Sequence, residues 1–218
     1  MAADPQPGLR ERKKRRTREL IAETARRLFS ERGFEQVTVA EVAEAADVSQ
    51  QTVFNYFPTK EDLVYWRLES FEAELLDAIR ERSPGEPALA AFGRFVRRAR
   101  GSLAEPDPQV RERLAAVTRM IAASPALRAR EQRIYESYTD ALAALLAQET
   151  GARTGDLEPW VAANAMMGVH RSLASQARRR IVEGADQRRL ARELQGQADR
   201  AVALLETGLG GYARSTHA

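Results

Sequence analysis

At 218 residues the chain is long enough for one sizeable core, or for a small unit joined to a larger one, and its 44% hydrophobic and 30% charged residues suit a globular protein rather than a disordered one. No uncharged stretch exceeds the 12 residues of 48–59 and 159–170, too short to span a bilayer, and no apolar signal run opens the sequence. The absence of cysteine excludes disulfides, thiolate metal sites and a thiol nucleophile, which fits a cytoplasmic protein, and the net charge of +3 is modest.

That charge is unevenly placed. Arg10, Arg12, Lys13, Lys14, Arg15, Arg16 and Arg18 stand against a single acid, Glu11. Alone, such a run is as readily a solvated tail; directly before a nucleic-acid-binding motif it becomes a phosphate-contacting arm, flexible over residues 1–15. A first helix follows over 17–32, with Leu20, Ile21, Ala25, Leu28 and Phe29 on one face and Gly33 as its stop. Thr38, with Glu41 three residues on, is the signature of a capping box and opens a short second helix whose inner face is Val39, Val42, Ala43 and Ala46. Asp47 and Val48 make a turn, Ser49 caps a third helix over 50–57, and Pro58 ends it. Thr59 and Asp62 then start a helix expected to run unbroken to 82, with Leu63, Leu68, Phe71, Leu75 and Ile79 as its core stripe. Prolines punctuate the remainder into amphipathic helices near 88–102, 109–122, 125–150, 158–183 and 186–207, about nine helices in all, with a frayed end from 208. No alternating strand pattern occurs, so the fold class is all-α.

The second and third helices have the form of a helix-turn-helix. From Val48 through Lys60 there is no Asp or Glu, in a chain with 31 of them, as a surface facing phosphates requires. Val53 and Phe57 lie four apart and point inward; Gln51, Thr52, Asn55 and Tyr56 share the other side and offer amides and hydroxyls to base edges and phosphate oxygens.

The stretch RTRELIAETARRLFSERGFEQVTVAEVAEAADVSQQTVFNYFPTKEDLV resembles the DNA-binding domain of the tetracycline-repressor (TetR) family, through Ala25, Leu28, Phe29, Gly33, Phe34, Thr38, Ala43, Thr52, Tyr56, Phe57 and Lys60 among others. The resemblance implies a helix-turn-helix DNA-binding domain over 16–62, with the motif at about 38–57, and a helical ligand-binding and dimerisation domain over 63–218. It also implies that Thr38, Gln51, Thr52, Asn55 and Tyr56 meet DNA, with Lys60 on a phosphate. Arg16 of the arm, and Ser49 and Gln50 at the start of the third helix, complete the candidate contacts. Gln50-Gln51 departs from the family's frequent Gly or Arg there, so no operator sequence is carried over. The implied function is a repressor released from double-stranded operator DNA by a small molecule, with the helix over 59–82 as the lever.

In the C-terminal part, Trp66, Phe92, Phe95, Met120, Tyr135, Tyr138, Trp160, Met166 and Met167 fall on helices that should meet. Ordinary core is one reading of them. The other is a pocket of adaptable apolar side chains, for which Trp66, Phe92, Phe95, Met120, Tyr138, Met167 and His170 are the candidates. Small residues in 158–183 (Ala162, Ala163, Ala165, Gly168, Ser172, Ala174, Ser175) and the stripe Leu190, Leu194, Ala198, Ala201, Val202 and Leu205 in 186–207 suggest a homodimeric four-helix interface. Arg178, Arg179 and Arg180 read as a solvated face. The segment from Ser124 to Arg128 and the helix after it resemble regulators related to the mycofactocin regulator, which implies an acyl-CoA-like ligand. With two histidines, no cysteine, no Gly-rich phosphate loop and no nucleophile-elbow serine, the sequence offers no enzyme site, metal site or cofactor site. A DNA-binding dimer controlled by a partner protein, or not controlled, stays open, because an apolar stripe does not reveal a pocket.

Overall fold

The computed structural model describes residues 8–66, 69–98 and 108–209 and, among these, ten helices: α1 (Leu9–Arg32), α2 (Val39–Ala45), α3 (Gln50–Tyr56), α4 (Asp62–Tyr65), α5 (Glu69–Arg80), α6 (Ala88–Arg97), α7 (Pro108–Ala123), α8 (Pro125–Thr150), α9 (Glu158–Val182) and α10 (Gln187–Leu209). The fold is all-α. Helices α1–α3 form a small bundle at one end, with α4 against α1; in the larger part α8 runs along α9, α7 lies on both, α5 packs on α6 and α8, and α10 covers α6 and α9. One buried core runs through the whole molecule, from Ile21, Phe29 and Phe57 to Phe92, Leu146 and Val202.

The local signals act as expected at most helix ends. Ser124 accepts the Leu127 amide and Pro125 fills the first turn of α8, where no backbone donor is needed. Gly151 closes α8 in the left-handed conformation, φ 63°, returning its amide to Ala147. Buried Arg82, just after α5, donates to both carboxylate oxygens of Glu149 at 2.9 and 2.7 Å and to the carbonyls of Ile79 and Glu86, tying the α5–α6 turn to the end of α8.

Several expectations are corrected. The first helix begins at Leu9 rather than 17, so residues 9–15 are helical rather than a flexible arm; Arg, Lys and Glu are good helix formers and need no apolar stripe to continue a helix. Leu20 is 52% exposed and belongs to no inner face. Of the helix expected over 59–82, Asp62–Tyr65 (α4) and Glu69–Arg80 (α5) are helical, while 67–68, and so Leu68, lie outside the described residues. The helix expected over 88–102 ends at Arg97, with 99–107 outside them. At the end expected to fray from 208, α10 runs through Leu209, and 210–218 lie outside the described residues.

The supposed dimer stripe of α10 faces inward. Leu190, Ala198 and Val202 are at most 1% exposed, and Val202 packs so tightly on α6 that a methyl added at Gly93 would lie 3.2 Å from it. Leu194 leans on a small cluster of Ala115, Ile181 and Leu190 that joins α7, α9 and α10. Ala162 and Ala163 are likewise fully buried inside the chain. Arg178 is not solvated: it forms a two-pronged pair with Glu131, reaching Oε2 at 2.7 Å. The apolar surface left uncovered lies elsewhere on α9, where Leu157 (69% exposed), Val161 (51%) and Val182 (45%) share one helical stripe with Gly168, Ser172 and Ser175, beside Trp160.

Val202→Glu is therefore expected to lose the folded chain, because a longer, charged side chain would be forced into the close-packed seam against Gly93. Val161→Glu, on the uncovered face, should move folding stability by no more than about 0.5 kcal/mol yet lower the sedimenting mass. Thermal unfolding and sedimentation velocity on both variants check this; a folded Val202→Glu monomer would restore the stripe of α10 as the interface.

Candidate nucleic-acid interface

The reading head is built from short-range bonds. Thr38 accepts the Glu41 amide at 3.2 Å while its own amide and hydroxyl donate to Glu41 Oε2, both at 2.8 Å, and Arg32 donates to Oε1 at 2.6 Å. These bonds, those from Thr38 backbone and then Arg32 first among them, lower the Glu41 carboxyl from 4.5 to about 2, so the cap persists at any pH where DNA is bound. After α2 the chain turns through Asp47 at φ 53°, and the Val48 amide returns to the Ala43 carbonyl while that of Asp47 returns to Glu44. This six-to-one closure sets the angle between the two short helices. Ser49 Oγ caps α3 by accepting the Thr52 amide at 3.0 Å, and shares a 2.8 Å bond with the Thr52 hydroxyl.

Helix α3 divides as the spacing requires. Val53 and Phe57 are each 1% exposed and hold it to the core. Gln50, Gln51 and Asn55 are exposed, and Gln51 Nε2 donates to Asn55 Oδ1 at 3.0 Å, so the two amides lie on one face with a mutual bond that base edges can replace. Thr52 and Tyr56 are half-buried, and Tyr56 packs against the core. Lys60 is half-buried as well; its ammonium sits 4.2 Å above the Phe34 ring and 5.9 Å from that of Phe29. Arg16 is exposed on α1.

One exposed residue of α3 stands outside the contacts expected from sequence. Phe54, 43% exposed, presents a ring on the outer side of α3, where a thymine methyl can meet it. Arg18 lies with its guanidinium 5.2 Å from the Phe57 ring, and so places positive charge beside α3 rather than in a distal tail.

The DNA-reading end is seated on the beginning of α8. Ser124 Oγ bonds Glu35 Oε1 at 2.6 Å, the Tyr65 hydroxyl donates to the Leu127 carbonyl at 2.9 Å, and Arg130 Nε donates to Asp62 Oδ1 at 2.6 Å. Asp62 is buried, and its other oxygen holds the Thr59 amide and hydroxyl, both at 2.9 Å. Burial, and next the Glu131 carboxylate, raise the Tyr65 phenol well above its usual range, so it stays a donor. Burial also raises Tyr135, while Glu131 carries Arg178 above its ordinary value against the cost of burial.

The C-terminal candidates do not form one group. Phe95, Tyr138 and His170 converge on Phe71, with ring centroids 5.3, 5.4 and 4.2 Å from it, and Tyr135 closes the cluster 5.8 Å from His170. Phe71, expected only as core, is its centre. Phe92 and Met167 are wholly buried, and Trp66 is half-buried at the end of α4. Met120 lines a different cavity, of about 380 Å³, between the end of α1 and the α7–α8 junction. Among the described residues no group of His, Cys, Asp and Glu could hold a metal, and no helix is long and apolar enough to cross a membrane.

The comparisons agree with this architecture. The family profile of bacterial regulatory proteins of the tetR family matches residues 21–65, and that of the MftR C-terminal domain matches 86–210. The HTH-type transcriptional regulator TcmR of Streptomyces glaucescens is 31% identical over 152 residues, covering 69% of this chain and 67% of that one. MftR of Mycobacterium tuberculosis, a regulator assigned to mycofactocin biosynthesis, is 28% identical over 156 residues, covering 68% and 73%. Among solved structures, Salmonella enterica GusR superposes with a TM-score of 0.52 at 21% identity over 89% of this chain and 95% of its own. Bacillus subtilis FadR in complex with stearoyl-CoA superposes with 0.50 at 18% over 88% and 98%. At such identities these two speak for the fold alone.

Gln51→Ala or Asn55→Ala should weaken operator binding by roughly 1–3 kcal/mol and relax the base preference at particular positions, whereas Lys60→Ala should weaken all sequences alike. Titration against a library of single-base operator variants separates the two patterns; Gln51→Ala and Asn55→Ala proteins that bind every variant as the parent does would remove α3 from the role of reader.

Proposed function

The chain belongs to the tetR family of bacterial regulatory proteins, which makes it a DNA-binding, ligand-responsive transcriptional regulator rather than an enzyme, and we propose that it is a dimeric repressor released from its operator by an apolar, acyl-CoA-like effector. The observation that carries DNA reading is the exposed, acid-free face of α3, with Gln51 and Asn55 paired upon it. Proteins of this family bind operators as dimers. The uncovered stripe of α9, from Leu157 and Val161 through Gly168, Ser172 and Ser175 to Val182, supports dimerisation through the helix near 158–183; its small residues let a two-fold mate approach closely. From the helix near 186–207, Leu204, 75% exposed, is the apolar side chain free to join it.

For the effector, the supporting feature is the aromatic group around Phe71, the one place where the candidate pocket residues Phe95, Tyr138 and His170 meet across α5, α6, α8 and α9. Flat rings and a partly exposed imidazole suit an acyl or aryl chain with a polar end. The match to the MftR C-terminal domain is what favours the acyl-CoA class. The mechanism is a shift of population. Two recognition helices must lie about 34–36 Å apart to enter successive major grooves. An effector that binds better to a dimer of another spacing lowers operator affinity by the ratio of its affinities for the two states.

A series of acyl-CoA esters of increasing chain length tests this. At least one should raise the thermal midpoint of the purified dimer and release a fluorescent operator, and Tyr138→Ala should blunt both effects. A series in which no ester moves the midpoint, or in which binding leaves operator affinity untouched, would overturn the effector class.

A further inference from the structure

We propose that the cavity between the DNA-reading helices and the C-terminal helices is a second effector site, and that it takes a compact apolar amine. It measures about 380 Å³, within the range of small-molecule sites, is partly open to solvent, and lies away from the aromatic cluster around Phe71. Phe29 and Phe34, packed edge to face at 5.1 Å, form one wall; Ala116, Met120 and Ala123 form the other. Rings, methyls and a soft thioether select an apolar body.

The charge of the ligand follows from the two charged residues on the wall. Arg119 is answered by Glu112, at 2.8 Å. Glu35 gives one oxygen to the hydroxyl of buried Ser124, and among the described residues its carboxylate meets no cation. The charge left to complement is negative. The Lys60 ammonium already sits 4.2 Å over the Phe34 ring, so a ligand cation is drawn to the Glu35 carboxylate and not to this ring. An alkyl- or arylammonium matches Glu35 and the apolar walls together, whereas a carboxylate would face Glu35 as a like charge.

Occupancy would reach the DNA-reading end directly. The Ser124–Glu35 bond ties the loop after α1 to the cap of α8, and an ammonium on Glu35 competes for that carboxylate. The site needs no acyl-CoA pocket and stands apart from that reading.

The test uses the full-length protein with 2-phenylethylamine and its neutral counterpart 2-phenylethanol, by titration calorimetry. The amine should bind about tenfold or more tightly than the alcohol, as a charge-assisted hydrogen bond provides. Glu35→Gln should erase that preference, and Ala116→Phe, which fills the cavity, should remove binding of both. Ala123→Leu is the milder filling variant should Ala116→Phe fail to fold. Operator affinity should change with the amine in the parent and not in Glu35→Gln, while any response to acyl-CoA persists in all variants. No measurable binding of the amine, equal affinity for amine and alcohol, or amine binding unchanged in the filled variants would each overturn the site.

Discussion

The orientation of the recognition helix depends on how the first two turns of α8 hold the DNA-reading end. Ser124, Leu127 and Arg130 lie on successive turns and bond Glu35, Tyr65 and Asp62, residues from the loop after α1 and from α4. Each anchor also serves its own segment. Ser124 caps α8, and Asp62 holds Thr59 at the turn that follows α3. The Arg130–Asp62 pair is mostly removed from water, so losing either partner strands a charge and costs more than the pair contributes.

That seat continues into the dimerisation part. Directly after Arg130, Glu131, and one turn further on Tyr135, meet Arg178 of α9, and Arg179 and Val182 beyond it reach the uncovered face of the same helix. A shift of α8 against α9 therefore moves the contacts to α4 and the exposed face of α9 together. The energies suffice. Allosteric coupling is commonly about 1–3 kcal/mol, and hydrogen bonds to charged groups are worth about the same, so making or breaking one or two anchors spans the useful range of operator release.

What the sequence revealed follows the distance over which each feature is decided. The caps at Thr38, Ser49 and Ser124, the inward pair Val53 and Phe57 and the shared face of Gln51 and Asn55 are set within four residues, and all were legible. The start of α1 was missed because an unpatterned basic run carries no periodic signal, although its residues favour helix. The stripe of α10 showed that a face is buried, but amphipathicity does not say whether the cover is another helix of the same chain or of its mate. Arg178 among three arginines looked solvated because its acid, Glu131, is 47 residues away. The aromatic cluster mixes α5, α6, α8 and α9, so Phe71 looked like plain core, and Met120, which lines the separate cavity, looked like part of the cluster; only the packing of the helices separates the two.

The seat on α8 is tested most directly by the spacing of the two DNA-reading ends. The chain has no cysteine, so Glu44→Cys on the exposed side of α2 gives one spin label per subunit and one distance per dimer. Pulsed electron resonance should give a narrow distribution for this protein and a broadened one when Arg130→Met is added, with helix content unchanged. Identical distributions with and without Arg130→Met would contradict the claim that the first turns of α8 position the recognition helix.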